Sequence, residues 1–493
     1  MQLRSIRAIH LAVCLAVALA ISGQVLAQNK ANAEADALRA GAAISNITPP
    51  LDEPIVGGFS PKPATHIHDE LNVRCLVLDN GQTRIGFVVS DNVGIPREVY
   101  DAARQEIEKV TGIPGNHLLM SATHTHSAIS ARSAGNRLIK ATELSEYQQF
   151  VARRIVEGVR RAVHNLEPAK VAWGTVDEPS EVFNRRWHMS TAADLANPFG
   201  GTDQVRMNPP RQGKGLLRPA GPTDPQITFL SVQSIDGRPI SLLANYSLHY
   251  VGGVGTDEIS ADYFALFADR IQQLLGADRL DPPFVGILSN GTSGDVNNNN
   301  YAAPAQRYKS YEKMRLVADK VAQAVYRSHQ DLKFQKSVPL GAVAEDLVLK
   351  ARKPTAELLE RARNILAKDP AAPQEHRLER NYAQNTIRQH EGPDEVSVML
   401  QALRIGDLGI AAIPFEVFVE SGLDVKQRTP FEHSFTISLA NGSYGYLPTP
   451  RHHALGGYET WLGTNLVEFE AAPKIVDVLM KLQERLHGAA GGQ

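Results

Sequence analysis

The strongest constraint on the fold is an alternation of short apolar, β-type runs with amphipathic helical stretches. Residues 73–78 and 84–91 are strand-like and are joined by Asp79-Asn80-Gly81, which favours a tight hairpin turn. Pro96 then opens an expected helix reaching about Val110, and residues 117–123 read as the next strand. After Leu144, the residues Tyr147, Val151, Ile155, Val159 and Ala162 recur at helical spacing. Residues 284–289 form another buried-looking strand, followed by a loop and a helix from about Tyr311 to Arg327. Strands are expected again near residues 399–405, 409–413 and 435–439. A last helix begins near Pro473 and carries Ile475, Val476, Leu479, Leu482 and Leu486 on one face. The fold class is α/β, with mixed β-sheets flanked by helices and no internal boundary that splits the chain.

Two stretches interrupt the alternation. Residues 190–225 are rich in glycine and proline and read as a long excursion without regular structure. Residues 353–394 are polar, with one helical stretch starting near Thr355, and read as a surface appendage. Residues 1–27 have the pattern of a secretory signal peptide. Arg4 and Arg7 precede a short apolar run over residues 11–21, and Val25-Leu26-Ala27 precedes a cut at Gln28. The run is shorter than the roughly 20 apolar residues that a bilayer span needs. Cleavage takes two positive charges away, lowering the formal net charge from −2 to −4 for residues 28–493, which read as one catalytic domain. Export points to the periplasm or the extracellular space. Cys14 leaves with the signal and only Cys75 remains, so no intramolecular disulfide forms and an extensive core must hold the chain together. Cys75 lies in an apolar run and reads as a core residue. The near-neutral charge offers no electrostatic footprint for nucleic acid.

The chemistry-bearing residues are scattered. Thr123-His124-Thr125-His126-Ser127 closes a strand, and side chains two apart on a strand point the same way. Two imidazoles on one face suit a zinc ion, or one ligand beside one proton-transfer group. His66-Ile67-His68 has the same spacing but sits in a turn-like context, where satisfied or exposed histidines are expected. His249 ends the run that starts at Ser241 and precedes Gly252-Gly253, and Asp295 is a lone carboxylate in the glycine- and asparagine-rich loop 290–300. Glu416 follows the apolar strand ending at Ile413, where exposure at a sheet edge is expected. Tyr444, Tyr446 and Tyr458 sit among glycines, less buried by context than core aromatics.

In sequence order, Thr-His-Thr-His-Ser, the later strand-terminal His, Gly294-Asp295-Val296, Pro414-Phe415-Glu416 and Asn441…Tyr444-Gly445-Tyr446…Gly457-Tyr458-Glu459 resemble the neutral/alkaline non-lysosomal ceramidases. The resemblance is to their catalytic N-terminal region and runs from about Gly41 to Leu486. It implies one zinc per chain, held by His124, His249, Glu416 and Tyr446. It further implies that His126, Arg185 of the dipeptide Asn184-Arg185, and Tyr458 line the reaction centre. Two imidazoles and a carboxylate are a common catalytic zinc shell, and zinc favours the deprotonated form of an added phenol ligand. The implied reaction is hydrolysis of the N-acyl bond of ceramide or a related N-acyl lipid by zinc-activated water.

The sequence departs from the family in two places. Asn297 stands where the family carries a serine at the reaction centre, so a hydrogen-bond donor replaces a hydroxyl. Family members commonly continue into an immunoglobulin-like C-terminal domain, whereas this sequence ends soon after its last expected helix. Three functional expectations stand side by side: an N-acyl lipid amidase, a zinc hydrolase of another amide or an ester, and a lipid-binding relative without turnover. A lipid substrate also implies transient contact with a membrane surface.

Overall fold

The computed structural model describes residues 37–55, 61–129, 131 and 137–488. The signal-peptide reading and Cys14 fall outside them. Two sheets carry the architecture. In the larger, β1 (Arg39–Asn46), β2 (Asn72–Asp79), β3 (Arg84–Ser90), β4 (Leu118–Ala122), β5 (Glu167–Asp177), β6 (Gln226–Ser234), β7 (Pro239–Tyr246) and β8 (Val285–Asn290) lie in the order β8-β7-β6-β5-β1-β2-β3-β4. The smaller contains β9 (Leu340–Lys350), β10 (Glu395–Ile405), β11 (Leu408–Ile413) and β12 (His433–Ser438), in that order.

Period-two alternation explains why the strands read as continuous apolar runs. Both faces are covered. On β2, Leu76 and Leu78 point into the core between the sheets with Phe87, Leu230, Leu403, Ile410 and Phe435. Val73, Cys75 and Val77 point outward, against α1 (Arg97–Thr111) and α2 (Glu146–His164). The β6–β8 half is covered by α3 (Asp262–Leu274) and α4 (Glu312–His329). The outer face of the small sheet is covered by α7 (Val419–Arg428) and α8 (Ala471–Gly488), whose Ile475, Val476, Leu479, Leu482 and Leu486 are buried as the spacing predicts. The result is four layers: helix, sheet, sheet, helix. Cys75 is a free thiol within this core, and burial pushes its pKa up to about 12.

Three parallel strand pairs position the site. β3–α1–β4, β7–α3–β8 and β11–α7–β12 are crossover units, each with a helix between parallel strands. In open α/β sheets, ligands collect outside the carboxyl ends of such strands. The two sheets are stitched together there: Ala122 N donates to Leu439 O, and Asn441 N donates to Met120 O at 2.7 Å.

Both excursions are more ordered than their composition implies. Within residues 190–225, Val205–Met207 and Leu216–Pro219 pair with Arg186–Met189 in a small three-stranded sheet. Partner strands far along the chain supply the hydrogen bonds that a local reading misses. The 353–394 stretch holds two helices, α5 (Ala356–Ala367) and α6 (Glu379–Glu391). The second goes unread because its apolar face is short. It packs inward through Tyr382, whose hydroxyl bonds Thr464 Oγ1 and whose ring meets Trp461 edge-on at 5.1 Å. Among the described residues, no helix is long and apolar enough to cross a membrane.

Candidate metal centre

Each crossover unit delivers part of the site at its carboxyl end. β4 ends at Ala122, so His124 and His126 lie beyond the strand and do not converge by strand alternation. Instead His124 adopts a left-handed backbone, φ 72°, a region in which histidine is enriched among non-glycine residues. Two bonds to the segment after β3 hold it there: its N–H donates to Asn92 O at 2.9 Å, and its Nδ1 bonds Val93 O at 2.6 Å. A carbonyl only accepts, so Nδ1 carries the proton and Nε2 is left as a lone-pair donor. His249, three residues past β7, is fixed the same way, with Nδ1 3.0 Å from Ser293 O after β8. Among the described residues its buried Nε2 has no hydrogen-bond partner. Burial, reinforced by the Arg185 charge, holds the His249 imidazole well below its ordinary pKa, hence neutral.

These atoms meet. His124 Nε2 is 3.1 Å from His126 Nε2 and 3.1 Å from Glu416 Oε2. One nitrogen from each of His124, His126 and His249 lies within 4.8 Å of the others. The His126 ring stacks on Tyr250 at 3.8 Å. Glu416 is 6% exposed, so the edge exposure expected from sequence is wrong. The loop after β8 covers it so closely that a Cβ on Gly294 would come 2.6 Å from Glu416 O.

Tyr446 faces Glu416 in a short parallel pair, and its phenol hydrogen-bonds that carboxylate. Tyr444 and Tyr446 are both buried, against the expectation from their glycine-rich context. Burial raises the Tyr446 phenol well above its ordinary pKa, with Arg185 opposing. Arg185 is buried rather than a surface charge. Its Nη2 donates to Tyr446 Oη at 2.9 Å, and its Nε donates to Glu459 Oε1 at 2.9 Å. Tyr458 is half-buried, with its ring 5.8 Å from that of Tyr446, and burial pushes its phenol up to about 12. Tyr458 lies in the wall of a cavity of about 560 Å³ that is also lined by Arg206, Asn208, His376, Arg377 and Trp461.

Asn297 is buried and hydrogen-bonded away from the histidines' own contacts. Its Nδ2 donates to Asn208 Oδ1 and to Tyr301 Oη, each at 2.9 Å. Asp295 is a clasp: its carboxylate accepts from Val419 N and Asn184 Nδ2, and its carbonyl accepts from Arg185 N. The His66/His68 pair stays apart from the cluster, with His66 exposed and His68 stacked on Tyr311.

Three imidazole nitrogens close to one another, two of the rings tautomer-locked by carbonyls, with the Glu416 carboxylate against His124, form a candidate metal site. A sequence profile of the neutral/alkaline non-lysosomal ceramidase N-terminal region matches residues 38–331, more than half of the chain. The chain belongs to the neutral/alkaline ceramidase family. Glu416, Tyr446 and Tyr458 lie beyond the matched residues; the fold brings Glu416 to His124, Tyr446 to Glu416 and Tyr458 beside Tyr446. Two solved structures share the ceramidase fold. The neutral ceramidase from Pseudomonas aeruginosa is 18% identical, with 91% of this chain and 75% of that one covered and a TM-score of 0.65. A ceramidase complexed with C2 is 16% identical, covering 92% and 76%, with a TM-score of 0.67.

Residues that sequence reading passed over include Tyr250, next to His249, and Glu459, next to Tyr458. Glu459 stands in the quoted Tyr-Glu motif without a role of its own, and Tyr250 is marked only by its adjacency to His249.

Proposed function

We propose that this chain is an exported, zinc-dependent amidohydrolase that cleaves the N-acyl bond of ceramide or a related N-acyl lipid. The observation that carries this reading is the convergence of His124, His126 and His249 within 4.8 Å of one another, with Glu416 3.1 Å from His124, in a member of the ceramidase family. His124, His249, Glu416 and Tyr446 would hold the ion, with His126 within reach. The chemistry a bound zinc supplies is Lewis acidity, which polarises an amide carbonyl and acidifies water.

The chain's own groups supply the rest. The Tyr458 hydroxyl keeps its proton at neutral pH and can donate a hydrogen bond to charge developing on the carbonyl oxygen. His126, more exposed than the other two imidazoles, is suited to carry a proton to the leaving amine. Arg185 holds the Tyr446 oxygen in place. Asn297, hydrogen-bonded to Asn208 and Tyr301, carries no hydroxyl, so the proposed reaction uses water as its nucleophile. The signal-like residues 1–27 motivate the proposed periplasmic or secreted location, and a lipid substrate calls for transient contact with a membrane surface.

The test is fatty-acid release from a panel of N-acyl sphingoid bases, other N-acyl amides and matched esters, with zinc restored. The expected result is turnover of the N-acyl lipids by the wild type and loss of at least about 100-fold in His126→Ala. Preferential ester cleavage, or tight lipid binding with no turnover, contradicts the reading.

A further inference from the structure

We propose that Glu459 is a positioning residue for the cluster: its carboxylate fixes the Arg185 guanidinium, and Arg185 fixes the Tyr446 phenol oxygen beside Glu416. The inference rests on the zinc-site reading and extends it to a residue that makes no contact with substrate or metal.

Glu459 is completely buried and answers two buried guanidiniums at once. Its Oε1 accepts from Arg185 Nε at 2.9 Å and its Oε2 from Arg186 Nη1 at 2.5 Å. Arg186 is already held elsewhere, by donation to Gly456 O and by packing over the Phe418 ring at 5.3 Å. Among the described residues, the Arg185 side chain has no such second anchor apart from Tyr446, whose Oη accepts from Nη2 at 2.9 Å. The planar fork transmits direction: fixing Nε fixes the plane in which Nη2 reaches the phenol. A lysine could not do this.

The same short turn, Tyr458–Thr460, also serves the cavity. It follows Gly456 and Gly457, whose φ values are 72° and 91°, and a Cβ on Gly457 would come within 3.0 Å of Arg186 Nη1. Tyr458 and Trp461 face the cavity while Glu459 faces the arginines. One turn therefore sets both the cavity wall and the geometry at Tyr446.

The experiment is a double-mutant cycle read by zinc affinity in chelator competition, with steady-state kcat and KM alongside. Glu459→Asp keeps the charge but shortens its reach. It is expected to weaken zinc binding about tenfold, as loss of a group that supports a ligand does, and to lower kcat more than KM changes. In a Tyr446→Phe background the same change is expected to shift affinity less than about twofold, because the chain of contacts is already cut. Should Glu459→Asp not fold, Arg185→Lys replaces it in the cycle, with the same two expectations. Equal shifts in both backgrounds, with zinc bound by the wild type, overturn this inference alone. A wild type that takes up no zinc overturns the functional reading and this inference together.

Discussion

His453 shows how a single buried side chain ties stability to pH. Its ring lies 4.4 Å from Phe469, and burial, with Arg352 adding to it, lowers its pKa to about 3. The unfolded chain binds a proton there below about pH 6.5 that the folded chain refuses until about pH 3. The folded state is therefore fully favoured above about pH 6.5 and loses stability as pH falls towards about 3. Replacing His453 with Phe should remove about 1–2 kcal/mol of the stability difference between about pH 7.5 and about pH 5, measured by urea unfolding. An unchanged pH dependence would contradict the assignment. At this scale the sequence exposes residue types but not their state. Arg185 and Arg186 look like paired surface charges, and their burial depends on a carboxylate 274 residues away from Arg185. The left-handed turn at His124 has no periodicity to announce it.

Among the elements, the packing of α2 on β2 gives the sharpest expectation. An added Cβ at Gly158 would stand 2.8 Å from Cys75 Sγ and 3.4 Å from Ser45 Cβ. Gly to Ala in an unobstructed helix stabilises by about 1 kcal/mol, whereas forcing a methyl into a packed core costs about 1–3 kcal/mol. The steric cost should win, so Gly158→Ala lowers the unfolding free energy in the wild type. In a Cys75→Ala background, which removes the blocking sulfur, the same substitution should be neutral or stabilising. A stabilised Gly158→Ala single variant would mean the helix sits farther from the sheet. The long, strongly periodic elements were legible: the hairpin at Asp79–Gly81, α1 after Pro96, α2 after Leu144, and α8 all follow local rules. The small sheet built on Arg186–Met189 and the helix α6 were not. Their stability comes from distant partners, as the Tyr382–Thr464 bond illustrates.

Over the whole molecule, three crossover units from two sheets end at one place, and each contributes: His124 after β4, His249 after β7, Glu416 and Tyr446 around β11 and β12. No segment of the chain holds these residues alone, so no single motif announces their proximity. The two-sheet core fixes their spacing, and the stitches from β4 to the segment after β12 fix the junction. The proposed hydrolysis requires these side chains to bind one cation, so the most direct measurement is the metal content of purified protein, wild type beside His249→Ala. The expected result is one zinc per chain in the wild type and almost none in the variant, with both folded by circular dichroism. A wild type without zinc, or a variant that keeps it, would contradict the account.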